Sequence, residues 1–287
     1  MQNRLKAILF AANMVCNCRF GATMQPSFHE ICQSNLPIMP WLEIKTSRMP
    51  GVNPLEWQDW LIRDDAFGAQ MAYRDHLLAT RREAVFDCNP LADAASAELL
   101  ALVLQQIALD PKYRVEADMV LRPDGVTVDL NSDHPLLVAG RLAQDDQCIL
   151  LSQDGGQVLR GAVLCFPASW TLAEKMNRDM FAIHQPVSSY GDEMAKRVGR
   201  MFERIQPERP LWRANNLIYT NPDLFQPRCT AQRRPVEGEQ KWVRVERQAL
   251  VRLPVSKALC FGIHSFVVPL ETLTVEQRES LEASVRA

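Results

Sequence analysis

The chain has 287 residues, of which 47% are hydrophobic and 23% are charged, and its formal net charge is −2. This composition is typical of a soluble globular protein with one large domain or two small ones. The near-neutral charge argues against a general surface for nucleic acid. Since no apolar stretch approaches the ~20 residues that span a bilayer, we expect no membrane partner.

The first 40 residues show little pattern. The apolar stretch Ala7–Val15 follows two basic residues and faintly resembles a secretory signal. Asn13 interrupts this stretch, and no clear small-x-small cleavage site follows it. We therefore expect residues 1–40 to be a poorly ordered N-terminal segment, or one that lies outside the domain pattern, followed by a single domain with an N-terminal helical extension over residues 41–287.

Helical spacing of apolar residues dominates the next part of the chain. It predicts a helix over Leu55–Arg81 and a second helix, with a broad apolar surface, over Leu91–Leu109. Asn89 is a suitable N-cap for the second helix, because a proline follows it at the first helical position. Residues Tyr113–Leu130 then predict two short strands about the turn Arg122–Gly125.

The remaining chain consists mainly of strands, with a few helical segments between them. Strands without a regular β-α-β order predict an α+β fold with an antiparallel sheet and helices on one face. The closing helix has a plausible capping box from Thr274 to Gln277. The predicted elements are a helix at Leu136–Asp146, a hairpin of Cys148–Leu151 and Val158–Phe166, helical turns at Leu172–Met176, a helix at Ser189–Ile205, strands at Leu211–Tyr219, Lys241–Leu253 and Ala258–Val268, and a helix at Thr274–Val285.

The eight cysteines do not form a recognisable metal or disulfide pattern. There is no C-x-x-C motif, and the closest pair is Cys16 and Cys18. Cys148, Cys165 and Cys260 lie in apolar, strand-like stretches, where a thiol behaves as a small hydrophobic group. We expect reduced core cysteines in a cytoplasmic protein, and neither a zinc nor an iron–sulfur site.

The strand Lys241–Pro254 has an unusually polar face. Because strand side chains repeat with a period of two, its valines and other apolar residues share one face, which only Arg247 interrupts. The opposite face either meets solvent, as is common in antiparallel sheets, or lines a pocket. This face carries Arg244, Glu246, Gln248 and Arg252.

His184 lies in a connection between two predicted helices, with a proline two residues later. A histidine on a restrained loop can be an axial metal ligand, a catalytic base or a structural residue. The chain lacks the H-x-x-x-H, G-x-S-x-G, G-x-G-x-x-G and G-x-x-x-x-G-K-[ST] motifs, so common zinc-hydrolase, serine-hydrolase and nucleotide sites are disfavoured. Electrons for any redox chemistry would then come from another protein.

Four blocks of residues form an ordered pattern from about Met49 to Leu270. They are Pro50-Gly51 to Pro54-Leu55 with Trp60-Leu61, Gln70 and Leu77-Leu78; Gly161 to Pro167 with Trp170, Leu172 to Lys175 and Ile183 to Val187; Leu211 to Arg213 with Asn215; and Arg244 to Pro254. Together they cover roughly three quarters of the chain. In this pattern the chain resembles the haem-dependent oxidative N-demethylase family, specifically its haem-binding alpha subunit.

The resemblance implies a fold and a set of site residues. The fold would be PAS-like, with an antiparallel sheet cupping haem b, which agrees with the α+β class. His184 would be the axial ligand of the haem iron, and Arg213 and Glu246 would be catalytic residues of the distal pocket. The further residues implied to bind the cofactor are Lys175, Arg244 and Arg247.

The resemblance also implies a reaction. An N-methyl group of a small secondary amine, such as dimethylamine, would be oxidised with dioxygen, and formaldehyde would be released. Glu246 would hold the amine as a cation and accept its proton, while Arg213 or Arg244 would offset the charge of this carboxylate. Electrons would come from NADPH through separate flavin and iron–sulfur subunits.

Three residues depart from the family pattern at positions expected near the pocket. Asn216 stands where the family usually has tryptophan, and His264 and Phe266 stand where it commonly has arginine and tyrosine. The family's Glu-Asp pair is Asp145-Asp146 in this chain. These changes leave open an altered substrate, a non-catalytic haem- or ligand-binding sensor of the PAS type, and a protein that shares only the fold.

Overall fold

The computed structural model describes residues 27–42, 51–154, 156–184, 192–229, 232, 239 and 241–286. The prediction of a poorly ordered segment therefore falls largely outside the described residues, as do Cys16, Cys18 and the predicted helical residues 189–191. Residues 27–42 pack against the rest of the chain. The Gln33 backbone N–H donates to the Val267 carbonyl at 3.1 Å, and the Val267 N–H donates to Gln33 Oε1 at 2.7 Å.

The described residues form two antiparallel sheets. A seven-stranded sheet has the order β1-β8-β9-β10-β6-β7-β2, and a small sheet has the order β3-β4-β5. The strands are β1 (Asn53–Pro54), β2 (Phe86–Cys88), β3 (Arg114–Val115), β4 (Met119–Leu121), β5 (Thr127–Asp129), β6 (Asp146–Gln153), β7 (Gly156–Val163), β8 (Leu211–Tyr219), β9 (Trp242–Arg252) and β10 (Leu259–Pro269).

Eight α-helices and four short 3₁₀ segments accompany these strands in the described part of the chain. The helices are α1 (Phe67–Thr80), α2 (Arg82–Val85), α3 (Asp93–Ile107), α4 (Pro135–Leu142), α5 (Leu172–Lys175), α6 (Met180–His184), α7 (Asp192–Arg204) and α8 (Val275–Arg286). The 3₁₀ segments are Pro40–Leu42, Trp57–Asp59, Pro90–Ala92 and Leu270–Thr272. In the described ranges, every helix is too short or too polar to cross a bilayer.

This architecture confirms the predicted α+β class, the antiparallel sheet and most of the predicted elements. The prediction of helices on one face is wrong, because α1, α3 and α4 cover one face of the large sheet and α5, α6 and α7 lie over the other. The hairpin of β6 and β7 and the long strands β8, β9 and β10 form where the sequence places them. The predicted capping box is present, because Thr274 Oγ1 accepts from the Gln277 N–H at 3.3 Å and Gln277 Oε1 accepts from the Thr274 N–H at 2.8 Å. Cys148, Cys165 and Cys260 are buried free thiols, and burial raises their pKa values.

Three predicted elements are wrong in detail. The helix predicted over Leu136–Asp146 ends at Leu142, because the backbone turns extended at Ala143, and Asp146 is the first residue of β6. The helix predicted over Leu55–Arg81 begins only at Phe67, because the carbonyls of Asp59 and Trp60 accept hydrogen bonds from Arg247 of β9 rather than from a following helical turn. The predicted pair of strands over Tyr113–Leu130 is a three-stranded sheet.

The large sheet has a helical core on one face and a mainly apolar pocket region on the other. Side chains such as Ala249 and Val251 of β9 pack with α1, α3 and α4 in the main hydrophobic core. Leu250, one position along the same strand, packs with Ile183 of α6 and Val198 of α7 in a second cluster. The period of two along the strand therefore separates the structural core from the region that contains the candidate site.

Candidate functional site

A cavity of about 390 Å³ lies between the second face of the sheet and helices α5, α6 and α7. This volume falls in the range of roughly 300–1,000 Å³ that is usual for small-molecule and cofactor pockets. A more open, polar groove of about 800 Å³ lies beyond Met180, Val198 and Phe202, but His184 does not line it. The polar residues that line the cavity are Lys175, His184, Arg213, Asn215, Glu246 and Gln248; its apolar wall includes Leu150, Leu159, Ile183, Leu250, Phe261 and Ile263.

The pairing of β8 with β9 brings four of these polar residues together. Arg213 is opposite Gln248, and Asn215 is opposite Glu246. Directly opposed residues on antiparallel strands project from the same face of the sheet. Alternation along each strand and register between the strands thus place all four side chains at one side of the cavity.

A chain of polar contacts links these strands. Arg213 Nη1 donates to Gln248 Oε1 at 2.8 Å, and Gln248 Nε2 donates to Glu246 Oε2 at 3.4 Å. Arg244 Nη2 lies 3.2 Å from Glu246 Oε1 and forms an ion pair with it. Glu246 is only slightly exposed, so this cation offsets part of the cost of burying the carboxylate.

Arg244 is fixed at the margin of the site. Its guanidinium donates to the Leu224 carbonyl at 3.1 Å, to Ser265 Oγ at 3.0 Å and to the Phe166 carbonyl. The side chain is 1% exposed and is not among the residues that line the cavity. Its contact with the site is therefore through Glu246, whose carboxylate it orients.

The structure does not bring Arg247 to this cavity. Its side chain points to the opposite face of β9, where it donates to the carbonyls of Trp60 at 3.0 Å and Asp59 at 2.6 Å. The expectation that it contacts the cofactor conflicts with the period of two, which separates it from Glu246 and Gln248. Its observed role is to connect the loop before α1 to the sheet.

His184 is the last residue of α6. The sequence had instead indicated that it lies in a connection between two helices. Its Nδ1 lies 2.8 Å from the Met180 carbonyl. A carbonyl can only accept, so Nδ1 carries the proton and the neutral ring has its lone pair on Nε2. Burial lowers the pKa of His184, the Met180 hydrogen bond opposes this shift, and the cations Lys175 and Arg213 add to it.

Lys175 is the last residue of the short helix α5 and lines the same cavity. Its Nζ lies 4.2 Å from the centre of the Trp170 ring, in a cation–π contact. Burial lowers the pKa of Lys175 to about 8, although Cys148 and Glu246 act in the opposite direction. Burial likewise lowers the pKa of Arg213, with Glu246 opposing the shift.

The three residues that depart from the family pattern are not in the cavity. Asn216, His264 and Phe266 do not line it. Each is next in sequence to a residue on the cavity face of the sheet: Asn215 and Ile263 line the cavity, and Ser265 is paired with Glu246. The structure thus places these departures outside the lining of the cavity. His264 is instead buried on the helical side, with Nε2 at 2.9 Å from Asp64 Oδ2 and Nδ1 at 3.5 Å from Asp145 Oδ2.

The resemblance had assigned no role to several other residues that line the cavity, although Asn215 and Trp170 belong to its blocks. Asn215 shares the parity of Arg213 on β8, and Ile263 and Phe261 alternate along β10. Trp170 lies in the segment between β7 and α5 and has no periodic signal. Its contact with Lys175 became visible only in the folded chain.

The fold and the site define an α+β protein with a histidine-bearing ligand cavity on one face of an antiparallel sheet. The family model described as "Haem-dependent oxidative N-demethylase, alpha subunit-like" matches residues 51–287. The chain therefore belongs to this family, whose cofactor is haem and whose activity is oxidative N-demethylation. As an alpha-subunit-like chain, it belongs to a type of protein that works with further subunits.

The residues of the cavity fit a haem. A neutral imidazole with its lone pair on Nε2, as in His184, is a common axial ligand of haem iron. The apolar wall suits the porphyrin, while Lys175 and Arg213 are buried cations suited to its two propionate groups. Among the described residues, no carboxylate lies within ion-pair distance of Lys175, so an anionic ligand would offset its charge.

Proposed function

We propose that this chain is the haem-binding component of an oxidative N-demethylase that acts on a small secondary amine such as dimethylamine. The observation that carries this proposal is that His184 and Glu246 line one cavity, together with Arg213 and Lys175. A histidine ligand and buried cations suit the iron and the propionates of a haem, and a carboxylate suits an alkylammonium substrate. The PAS-like description of the fold remains a prediction.

His184, Lys175 and Arg213 are the residues proposed to hold the cofactor, haem b. His184 would supply Nε2 to the iron, and the hydrogen bond from Nδ1 to Met180 would fix the orientation of the ring. Lys175 and Arg213 would bind the propionates, and for Arg213 this proposal replaces the catalytic role in the distal pocket that the resemblance implies. When bound, haem supplies the iron centre for one-electron and dioxygen chemistry.

Glu246 is the residue proposed to bind the substrate. A dialkylamine is protonated at neutral pH, and a carboxylate in a largely dry cavity attracts its N–H groups strongly. Arg244 and Gln248 each contact one oxygen of Glu246 and so hold the carboxylate in place. Glu246 can also accept the proton that the amine must lose before its methyl group is oxidised.

The proposed overall reaction balances with an external source of electrons. Dimethylamine, dioxygen, two electrons and two protons yield methylamine, formaldehyde and water. We propose that the electrons come from NADPH through separate flavin and iron–sulfur subunits, in keeping with the alpha-subunit-like family. A cytoplasmic location is also proposed, supported by the six described cysteines, all of which are free thiols.

Haem titration of the purified protein tests the cofactor assignment. We expect a Soret band in the wild type, and its loss or a marked shift in His184→Ala. His76→Ala is the matched control, since His76 lies on α1 away from the cavity. Absence of haem uptake by the wild type, or an identical spectrum in His184→Ala, would refute the assignment.

The substrate assignment is tested by titrating haem-loaded protein with dimethylammonium and by measuring formaldehyde with an artificial electron donor. Glu246→Gln keeps the shape of the side chain and removes its charge, so we expect weaker amine binding and lower turnover. Unchanged binding and turnover in this variant would exclude Glu246 from the role. Asn216, His264 and Phe266, which had favoured a haem- or ligand-binding sensor, do not line the cavity. The sensor stays the alternative function, and it is favoured if haem binds but dimethylammonium neither perturbs the haem spectrum nor yields formaldehyde.

A further inference from the structure

Asn215 faces Glu246 across the β8–β9 pair, and both residues line the cavity. Opposed side chains on antiparallel strands have Cβ atoms about 4.5–5.5 Å apart. Asn215 Oδ1 is buried, and none of the described residues donates a hydrogen bond to it. A buried carbonyl oxygen without a donor costs free energy, so a ligand that supplies an N–H at this point is favoured.

Glu246 retains capacity to accept a further hydrogen bond. Arg244 lies 3.2 Å from its Oε1, and Gln248 lies 3.4 Å from its Oε2. A carboxylate has about four lone-pair positions, so these two contacts leave room for another donor. The cavity therefore presents two acceptors on adjacent strands, one charged and one neutral.

We propose that Asn215 is a specificity-determining residue, whose amide oxygen accepts the second N–H of a dialkylammonium ion bound to Glu246. The inference rests on the proposed function, because it takes the bound molecule to be an amine. A dialkylammonium has two N–H groups, which matches the two acceptors. Asn215 thereby selects the number of N–H groups on the substrate, and not only its charge.

The discrimination follows from what a trialkylammonium lacks. Its single N–H can satisfy Glu246, but a third alkyl group then takes the place of the donor to Asn215 Oδ1. Sites built to hydrogen-bond a ligand group reject analogues without that group, because a buried polar atom stays unsatisfied. One hydrogen bond to a charged group corresponds to about a ten- to hundredfold difference in affinity.

Calorimetric titration of the haem-loaded full chain with dimethylammonium and with trimethylammonium tests this inference. We expect the wild type to bind dimethylammonium about ten- to hundredfold more tightly. Asn215→Leu removes the acceptor at similar volume and should abolish most of that preference. Asn216→Leu is the matched control, because Asn216 does not line the cavity, and it should keep the preference.

The possible failures are distinguishable. If the wild type binds neither ion, the proposed substrate class is wrong and the inference falls with it. If the wild type binds dimethylammonium but shows no preference, or if Asn215→Leu retains the wild-type preference, only the role of Asn215 is overturned. Asn215→Ala provides the same comparison with a smaller side chain if the leucine variant does not fold, and Asn215→Asp, which keeps an acceptor oxygen, should retain the preference.

Discussion

The buried imidazole of His264 should make the stability of this chain depend on pH. Its side chain is inaccessible to solvent and lies between the carboxylates of Asp64 and Asp145, with Arg247 as its cross-strand neighbour. Burial lowers the pKa of His264, but the two carboxylates outweigh burial and raise it from 6.5 to about 9. The folded state therefore binds the imidazolium proton more tightly than the unfolded state does.

The sign and size of the effect follow from this difference. A raised pKa stabilises the folded state fully below the unfolded value, near pH 6.5, and the contribution is lost as pH rises through about 9. One pKa unit corresponds to ~1.4 kcal/mol, so the shift corresponds to about 3 kcal/mol in the free energy of unfolding.

Urea unfolding followed by tryptophan fluorescence, at several pH values from 6 to 9.5, measures this contribution. We expect the wild type to lose about 3 kcal/mol relative to His264→Gln over that interval. The difference between two haem-saturated proteins removes the contribution of ligand binding to stability. His76→Gln should keep the wild-type pH dependence. A wild-type minus His264→Gln difference that stays constant with pH would refute the reasoning.

Two further predictions concern packing and buried charge, and urea unfolding measures both. Arg74 Nη1 lies 2.8 Å from Asp146 Oδ1, and neither side chain is exposed. Arg74→Met leaves this buried carboxylate without its cation, so it should lower the free energy of unfolding by ~3–5 kcal/mol. A decrease below ~1 kcal/mol would contradict this reasoning. A Cβ at Gly140 would lie 2.6 Å from Val163 Cγ1, so Gly140→Ala should cost ~1–3 kcal/mol. A Cβ at Gly199 would have no neighbouring atom within 4 Å, so Gly199→Ala should instead stabilise α7 by up to ~1 kcal/mol. Equal effects of the two glycine substitutions would contradict the packing argument.

Local rules in the sequence predicted the elements whose signals are local. The capping box at Thr274 and the strand period in β9 depend on neighbouring residues alone, and both appear as expected. The start of α1 could not be predicted in this way. Its position depends on Arg247, nearly two hundred residues further along the chain, which takes the carbonyls of Asp59 and Trp60.

The candidate site shows a similar division. The resemblance to the family pointed to Arg213 and Glu246, and β8–β9 pairing then explains why they share a cavity. Alternation from Arg213 alone would have placed Asn215 in the site and Asn216 outside it. For β10 no such argument was possible, because both faces of that strand are apolar and the parity of His264 gives no sign of which face meets the cavity.

Because one face of β9 meets the cavity and the other meets the core, the strand must pair with its neighbours in a single register during folding. A slip of one residue would exchange Glu246 for Arg247 at the cavity and would move the apolar core residues to the other side. Arg247 opposes such a slip from one face through two loop carbonyls, and Arg244 opposes it from the other through contacts with Leu224 and Ser265. Arg244 and Arg247 thus fix the register of β9. A strand paired one residue out of register would lose their hydrogen bonds and would also separate Glu246 from Asn215.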